Sequence, residues 1–189
     1  MKSRSLRRNQ AGVTLIEMIT VMCIAGILMT IAIPSYRNFS QANRISGEIN
    51  GLLGDLQYAR AEAIKEGQTV TVCVLSTNAS CASGTSTAWQ NGWIVFADAN
   101  SNHTITAGDT VYRIQSAFTS TDTLTSNNSV GYISFNREGF ATGLGANGAL
   151  IELHAATPSS VTTRCLSVTM VGLMTVQTYG QQNNSMTCQ

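Results

Sequence analysis

The sequence predicts an α+β protein in which one long N-terminal helix packs on an antiparallel β-sheet domain. Two observations predict this fold. An uncharged apolar run near the N-terminus continues into an amphipathic stripe, and from Thr69 onward short β-type segments alternate with turn residues. Charged residues make up only 11% of the chain, against roughly 25% in an ordinary soluble domain.

The first part of the chain has the composition of a membrane-spanning helix. Basic residues come first: Lys2, Arg4, Arg7 and Arg8. In the run 13–33 that follows Gly12, every residue except Glu17 is uncharged. At about 1.5 Å per residue, this run is long enough to cross a hydrocarbon core of roughly 30 Å. The basic flank predicts a cytoplasmic N-terminus and an exported C-terminal body.

A secretory signal peptide and an ordinary single-span anchor are the alternatives for this segment. A signal peptide would have an apolar run of only about 7–15 residues. An ordinary anchor would not explain Glu17, since a charged side chain in a membrane helix costs roughly 2.5–3.5 kcal/mol on insertion scales. The carboxylate therefore indicates a function beyond anchoring.

The hexapeptide 12–17, Gly-Val-Thr-Leu-Ile-Glu, resembles the prepilin motif of type IV pilins and type II secretion pseudopilins. In that family a prepilin peptidase cuts after the glycine, and the new N-terminus is methylated. The resemblance implies a leader 1–12, cleavage between Gly12 and Val13, and N-methylation of Val13. Phenylalanine is commonest at the position of Val13 in that family.

Glu17 would then lie one helical turn from the new α-ammonium group of Val13. A carboxylate in hydrocarbon is stabilised by a nearby cation, either its own terminus or that of a neighbouring subunit. The second arrangement would set the register of subunits during assembly.

An amphipathic helix is predicted over 34–66. Pro34 ends the apolar run and predicts a kink near the membrane surface. Apolar residues then recur at spacings of three and four: Phe39, Ala42, Ile45, Ile49, Leu52, Leu53, Leu56, Ala59 and Ala63. Gly47, Gly51 and Gly54 weaken this helix by roughly 1 kcal/mol each relative to alanine. Gly67 is the predicted C-cap.

The remaining residues, 67–189, predict a β-rich exported domain, built from one antiparallel sheet or a pair of sheets. The candidate strands are Thr69–Ser76, Gly92–Ala97, Thr110–Gln115, Tyr132–Asn136, Ala149–His154, Arg164–Thr169 and Met174–Tyr179. Thr, Val, Ile and Tyr dominate them, and Gly, Asn, Ser and Asp fill the gaps.

Cysteine placement supports export. Cys23 lies in the apolar run and is interpreted as a small hydrophobe. Three connectivities are open to Cys73, Cys81, Cys165 and Cys188. The local pairing of 73 with 81 and 165 with 188 is favoured. Cys73 ends or flanks a strand and Cys81 lies in the following turn, and Cys188 would tie down a C-terminal tail of little apolar content. Zinc binding is the alternative, but the sequence has neither C-x-x-C nor clustered histidines.

A narrower resemblance involves Cys73, Cys81 and the segment 89–100, Trp-Gln-Asn-Gly-Trp-Ile-Val-Phe-Ala-Asp-Ala-Asn. Together these are similar to the GspH/FimT/FimU group of minor pilins and pseudopilins. The resemblance implies a pilin-like fold, with a long helix against two β-sheets. It also implies a rare filament subunit that, in type IV pili, joins a priming complex at the tip.

The segment from Asp98 to Asp109 is a candidate calcium loop, with oxygen side chains at its first, third, fifth and twelfth positions. Its sixth position, however, is His103, where such loops require glycine. The favoured interpretation is a polar hairpin loop whose side chains cap their own backbone. We therefore expect no metal site.

DNA uptake is the functional alternative from a different class. Some members of the group bind DNA through an arginine-rich motif near the C-terminus, but the corresponding stretch at Gly172 has no arginine, and no basic residue follows Arg164. Without residues 1–12, seven Lys and Arg stand against ten Asp and Glu, a net charge of −3. Only a dispersed patch such as Arg113, Arg137 and Arg164 would attract nucleic acid.

The sequence argues against an enzyme. His103 and His154 are the only histidines, and no G-x-S-x-G, H-E-x-x-H or P-loop pattern is present. Trp89 and Trp93 are interpreted as core packing. We expect no catalytic residues and no cofactor.

The sequence therefore predicts a minor pilin of a type IV pilus, with a type II secretion pseudopilin as the alternative of the same physical class. Its predicted partners are a prepilin peptidase, other minor and major pilins, and the inner membrane, with nucleic acid disfavoured. We expect a single-pass inner-membrane protein with a periplasmic domain that later enters an extracellular filament.

Overall fold

The computed structural model describes residues 12–77, 79–82, 84–157, 159–183 and 185–189. The predicted leader therefore lies outside the described residues, except for Gly12. The chain divides into two compact units, Met1–Ser40 and Gln41–Gln189. One helix, α1 (Leu15–Glu66), contributes residues to both units.

Helix α1 ends where the sequence predicts. Gly67 follows its last residue with φ of 68°, and the Gly67 N–H donates to the Ala63 carbonyl over 3.0 Å. Only glycine adopts this left-handed conformation without strain, so the C-cap prediction is confirmed. Pro34 lies inside α1, and the residues on both sides of it belong to one helical element.

Within the second unit, α1 buries one face. Its buried side chains recur at spacings of three and four: Ile45, Ile49, Leu52, Leu56, Ala59 and Ala63. These are members of the predicted stripe. Phe39, which the same pattern assigned to the packed face, is 65% exposed, because it precedes the compact body that starts at Gln41.

Short strands follow the helix. They are β1 (Val70–Val74), β2 (Gly92–Ala97), β3 (Val111–Ser116), β4 (Thr123–Ser126), β5 (Tyr132–Phe135), β6 (Ala141–Thr142), β7 (Ala149–His154), β8 (Arg164–Val168), β9 (Met174–Thr178), β10 (Gln182–Asn183) and β11 (Met186–Thr187). Two single 3₁₀ turns, Trp89–Asn91 and Asn127–Ser129, lie between them.

The strands form two main antiparallel sheets. The first has the order β3-β2-β1-β5-β6, and the second has the order β4-β7-β8-β9. Strands β10 and β11 form a separate two-stranded hairpin. The predicted fold class, one helix against antiparallel sheets, is confirmed.

One hydrophobic core joins the helix to both sheets. It contains the buried face of α1 together with Val72 of β1, Ile133 of β5, Ile151 of β7 and Leu166 of β8. Alternation along the strands leaves an outer face on each sheet. On the first sheet this face carries Cys73, Ile94 and Phe96. The side chains packed against it are Leu75, Cys81, Ile105 and Tyr132. The seven predicted strands are present with bounds shifted by up to two residues.

Candidate functional site

The N-terminal helix starts at a capped turn. Thr14 precedes α1, and its hydroxyl accepts the backbone N–H of Glu17 over 3.3 Å. A threonine at the N-cap followed by glutamate three residues later is the sequence signature of a capping box, and the Thr14 bond is its hydroxyl half. The carboxylate of Glu17 also lies in the first turn, where the helix dipole favours negative charge. Sequence reasoning missed this cap, although the Thr-x-x-Glu spacing is its signature.

None of the described residues covers the apolar part of this helix. Val13, Leu15, Ile16 and Ile31 are all more than 65% exposed. In the described part of the chain, α1 is the one helix long and apolar enough to cross a membrane, and none of its most apolar window is buried. A surface this apolar is stable only against lipid or other proteins.

The other polar groups of this segment are satisfied within the helix. The Thr20 hydroxyl donates to the Glu17 carbonyl over 2.9 Å, and the Thr30 hydroxyl donates to the Ile27 carbonyl over 2.7 Å. Such bonds to the preceding turn let hydroxyls sit in an apolar environment. Glu17 is the single charged residue between Gly12 and Arg37. Its carboxylate is therefore the one charged side chain of the apolar segment.

Two disulfides lie in the β domain. Cys73 of β1 is bonded to Cys81, with Cα atoms 5.6 Å apart, and Cys165 of β8 is bonded to Cys188, with Cα atoms 5.7 Å apart. Sulfur atoms engaged in disulfides are not available as zinc ligands. Cys23 is exposed on the apolar part of α1.

The loop after β2 uses its carboxylates to cap its own backbone. Asp98 is fully buried and accepts the N–H groups of Asn102 and His103, each over 3.0 Å. The Thr71 hydroxyl donates to the same carboxylate over 2.8 Å. At the other end of the loop, the carboxylate of Asp109 accepts both the N–H and the hydroxyl of Thr106. This is the arrangement of a polar hairpin loop.

His103 takes part in a serine–histidine–aspartate cluster that lacks the geometry for nucleophilic catalysis. Its Nδ1 lies 3.1 Å from Ser134 Oγ and 3.4 Å from Asp98 Oδ2. A catalytic triad needs the two partners on different ring nitrogens, so that the base is oriented by one and activates the other. Ser134 is also fully buried. The ring of His103 instead stacks on Tyr132, with centroids 4.1 Å apart.

The three arginines of the suggested DNA patch are engaged by the protein itself. Arg113 pairs with Asp55 over 2.8 Å, and Arg137 pairs with Glu138 over 2.8 Å. Arg164 donates to two backbone carbonyls, at 2.8 and 3.0 Å. Phosphate binding requires cations that are not already neutralised. Two of these three arginines already have carboxylate partners.

An ion pair that the sequence did not reveal connects α1 to the loop before β4. Arg44 donates two hydrogen bonds to Asp122, over 2.7 and 2.8 Å, and the Asp122 side chain is fully buried. Burial raises the pKa of Asp122, but the bonds from Arg44 and neighbouring groups outweigh it and the pKa is lowered. No sequence pattern links residues 78 positions apart.

The N-terminal part of α1 is apolar and uncovered, and its C-terminal part packs with two sheets. This architecture defines a pilin-type subunit. Models of two known families match this chain: the prokaryotic N-terminal methylation motif over residues 7–33, and type II transport protein GspH over residues 48–172. The chain belongs to the GspH family and carries the N-terminal methylation motif. The methylation motif implies processing by a prepilin peptidase and assembly with other pilins, and the apolar helix marks a membrane-anchored pilin with a periplasmic domain.

A solved structure has the same fold. A crystal structure of the type IV minor pilin FimU from Pseudomonas aeruginosa strain PAO1 matches with a TM-score of 0.55 and 18% identity. The match covers 80% of this chain and 97% of that chain. A second crystal form of FimU gives a TM-score of 0.49 and 17% identity, covering 79% of this chain and 96% of that chain. No curated protein sequence matches significantly.

Proposed function

We propose that this protein is a minor subunit of a type IV pilus that enters a priming complex and ends at the filament tip. It is made as a prepilin, cut between Gly12 and Val13, and methylated at Val13. The observation that carries the proposal is the uncovered apolar helix with a single carboxylate in its first turn. This helix exchanges lipid contacts for contacts with neighbouring helices during assembly.

Glu17 sets the register of the subunit in this proposal. Cleavage creates an α-ammonium at Val13, next to a helix N-terminus whose dipole already carries partial positive charge. The carboxylate of Glu17 offsets that charge within its own chain or pairs with the α-ammonium of a neighbour. Because an unpaired charge in hydrocarbon is costly, a subunit at the wrong axial position is disfavoured.

The segments have separate roles. Residues 1–12 form the leader, 13–33 cross the membrane, 34–66 support the body, and 67–189 form the exported domain. The exported domain presents its surface to other minor pilins, and its two disulfides suit an oxidising compartment.

A pseudopilin of a type II secretion system is the second candidate. The match over 48–172 to type II transport protein GspH favours it, and the physical roles of the helix and Glu17 would be unchanged. Co-isolation with pilus components or with secretion components distinguishes the two machines.

The test compares wild type with Gly12→Val and Glu17→Gln in cells that express pilin-type partners. We expect Gly12→Val to retain residues 1–12, because a side chain at this position obstructs cleavage. We expect Glu17→Gln to be cleaved normally but absent from sheared filaments. Mass spectrometry reads the first outcome, and immunoblots of membrane and filament fractions read the second.

Thr20→Ala is the matched control, because among the described residues the hydroxyl of Thr20 bonds only to its own helix. It should be cleaved and assembled like wild type. A wild-type protein that keeps residues 1–12 and never leaves the membrane would contradict the proposal. So would a Glu17→Gln variant found in filaments at the wild-type level.

A further inference from the structure

The peptide bond between Gly12 and Val13 lies just outside α1. The helix begins at Leu15, and residues 12–14 belong to neither a helix nor a strand. Both residues of the bond are exposed, and no described atom lies within 4 Å of the place that a Cβ on Gly12 would take. Proteases act on exposed backbone that is not held in regular structure. The start of the helix therefore leaves this bond open to a peptidase.

Thr14 fixes the residue at which the helix begins. Its carbonyl accepts the N–H of Met18 over 3.2 Å, which is the first helical bond among the described residues. Its hydroxyl accepts the N–H of Glu17 over 3.3 Å, and Glu17 N–H is one of the donors that a helix start leaves without a carbonyl partner. A residue that makes both bonds is an N-cap, and it stabilises a helix that begins at this position over one that begins elsewhere.

Without this cap, the sequence allows a helix that begins earlier. The next capping-type residue towards the N-terminus is Asn9, and Gly12 disfavours a helix without preventing it. In a helix capped at Asn9, the carbonyl of Gly12 would accept the N–H of Ile16, four residues further on. That bond is not made among the described residues. It would hold the carbonyl that a peptidase must attack inside the helix.

We propose that Thr14 is a positioning residue for leader cleavage, because its cap keeps the carbonyl of Gly12 outside the helix. This inference rests on the proposed function, which places the cut between Gly12 and Val13. The methylation-motif model, which matches residues 7–33, spans that bond independently of the helix geometry. Thr14 acts through the start of the helix and not on the reacting atoms. Another residue that caps the helix equally well should therefore replace it.

Cleavage of the full-length protein in detergent micelles by a purified prepilin peptidase tests the proposal. Thr14→Val keeps the β-branched shape and removes the hydroxyl. We expect its cleavage rate to fall about fivefold, the equilibrium factor of an average N-cap. Thr14→Ser and Thr14→Asn restore a capping oxygen, so both should be cleaved at close to the wild-type rate.

NMR reports the state of the scissile bond in the same samples. Gly12 and Val13 form the one Gly-Val pair in the sequence. Carbonyl-¹³C glycine combined with ¹⁵N valine therefore gives one signal from this bond, and cleavage removes the signal. Before peptidase is added, the Gly12 carbonyl should shift towards its helical value in Thr14→Val and should stay at the wild-type position in Thr14→Ser and Thr14→Asn.

Thr20→Val is the matched control, since it makes the same substitution at a threonine inside α1 whose hydroxyl donates to the Glu17 carbonyl. It should change neither the cleavage rate nor the Gly12 signal. A wild-type protein that is not cut at this bond overturns the proposed function, and this inference with it. If wild type is cut there, two results overturn the inference alone. One is a Thr14→Val protein that is cut at the wild-type rate or without a shift of the Gly12 signal. The other is slow cleavage of Thr14→Ser and Thr14→Asn, which would assign the effect to contact of the threonine with the peptidase.

Discussion

At the residue scale, Glu48 is a carboxylate with too few hydrogen-bond donors. Its Oε1 accepts the Ser120 hydroxyl over 3.2 Å, and its Oε2 is buried without a partner among the described residues. Burial, and then the neighbouring Asp122, raise the pKa of Glu48. The charged form is thus less stable in the folded protein than in the unfolded chain.

Glu48→Gln should therefore stabilise the protein at pH 7. The pKa of Glu48 is higher in the folded protein than in the unfolded chain. The free-energy cost of its charge therefore grows as the pH rises from the unfolded-state pKa to the folded-state pKa, and it is absent at lower pH. We expect a gain on the order of 1 kcal/mol at pH 7, and none at pH 3. Thermal unfolding followed by tryptophan fluorescence measures both.

Glu138→Gln is the control for this substitution. Glu138 is exposed and pairs with its neighbour Arg137, so its change should leave the free energy of unfolding close to the wild-type value. A Glu48→Gln protein less stable than wild type at pH 7 would show that attraction to Arg44, whose Nε lies 3.9 Å from Glu48 Oε1, outweighs the cost of burying the charge.

At the element scale, the link from α1 to the loop before β4 should be a major stabilising contact. Arg44→Met leaves the buried carboxylate of Asp122 without its cation, and we expect a loss of about 2 kcal/mol. Because the pKa of Asp122 is lowered, this contribution is present above its ordinary pKa and disappears as the pH falls through the folded-state value. Urea unfolding at pH 7 and at low pH measures it.

The double variant Arg44→Met/Asp122→Asn distinguishes a lost pair from a lost side chain. Removing both charges should recover part of the stability, since no buried charge remains unpaired. If the free energy of unfolding of the double variant falls by the sum of the losses of the two single variants, the two residues do not act as a pair.

Two glycines of the body should respond to alanine in opposite directions. Gly51 lies in α1, and a Cβ at this position would have no described atom within 4 Å, so Gly51→Ala should gain about 1 kcal/mol from helix propensity. Gly139 has φ of 81°, and its Cβ would lie 2.8 Å from Ile64 Cδ1. Gly139→Ala should therefore lose about 1–2 kcal/mol. Thermal unfolding of both variants gives the comparison.

Periodicity predicted the elements that bury apolar side chains. The stripe from Ile45 to Ala63 and strands such as β2 and β8 were predictable because each carries a regular apolar pattern. Strand β4, Thr-Leu-Thr-Ser, was missed because Leu124 is its single apolar residue. The two-residue strands β6, β10 and β11 exist through pairing with neighbours, which local sequence does not encode.

At the scale of the whole molecule, the second unit should fold without the first. Residues 41–189 contain the main core and both disulfides. Exported alone to an oxidising compartment, this fragment should be soluble and monomeric and carry no free thiol, since Cys23 lies outside it. Gel filtration and thiol titration check this. A fragment that aggregates or has free thiols would show that residues 13–40 are needed for folding.

The N-terminal motif was predictable from the sequence, whereas the charged contacts around Asp122 were not. Gly12, Val13 and Glu17 could be proposed as site residues because they lie together in the sequence and resemble a family motif, whose model matches residues 7–33. The contacts of Arg44 with Asp122 and of Glu48 with Ser120 were not, because separations of 78 and 72 residues hide them until the chain folds. Local motifs are therefore readable, whereas pairings across the fold require the structure.

The shared core of α1 and the two sheets determines how the proposed filament subunit bears mechanical load. A pull on the helix along its axis acts on the body through six buried side chains between Ile45 and Ala63. Both disulfides lie within the body, and neither crosslinks it to the helix. Because these contacts lie along the direction of the pull, they bear the force in shear and must break together, not one after another. Tension would thus be carried by packing distributed along about five turns of helix.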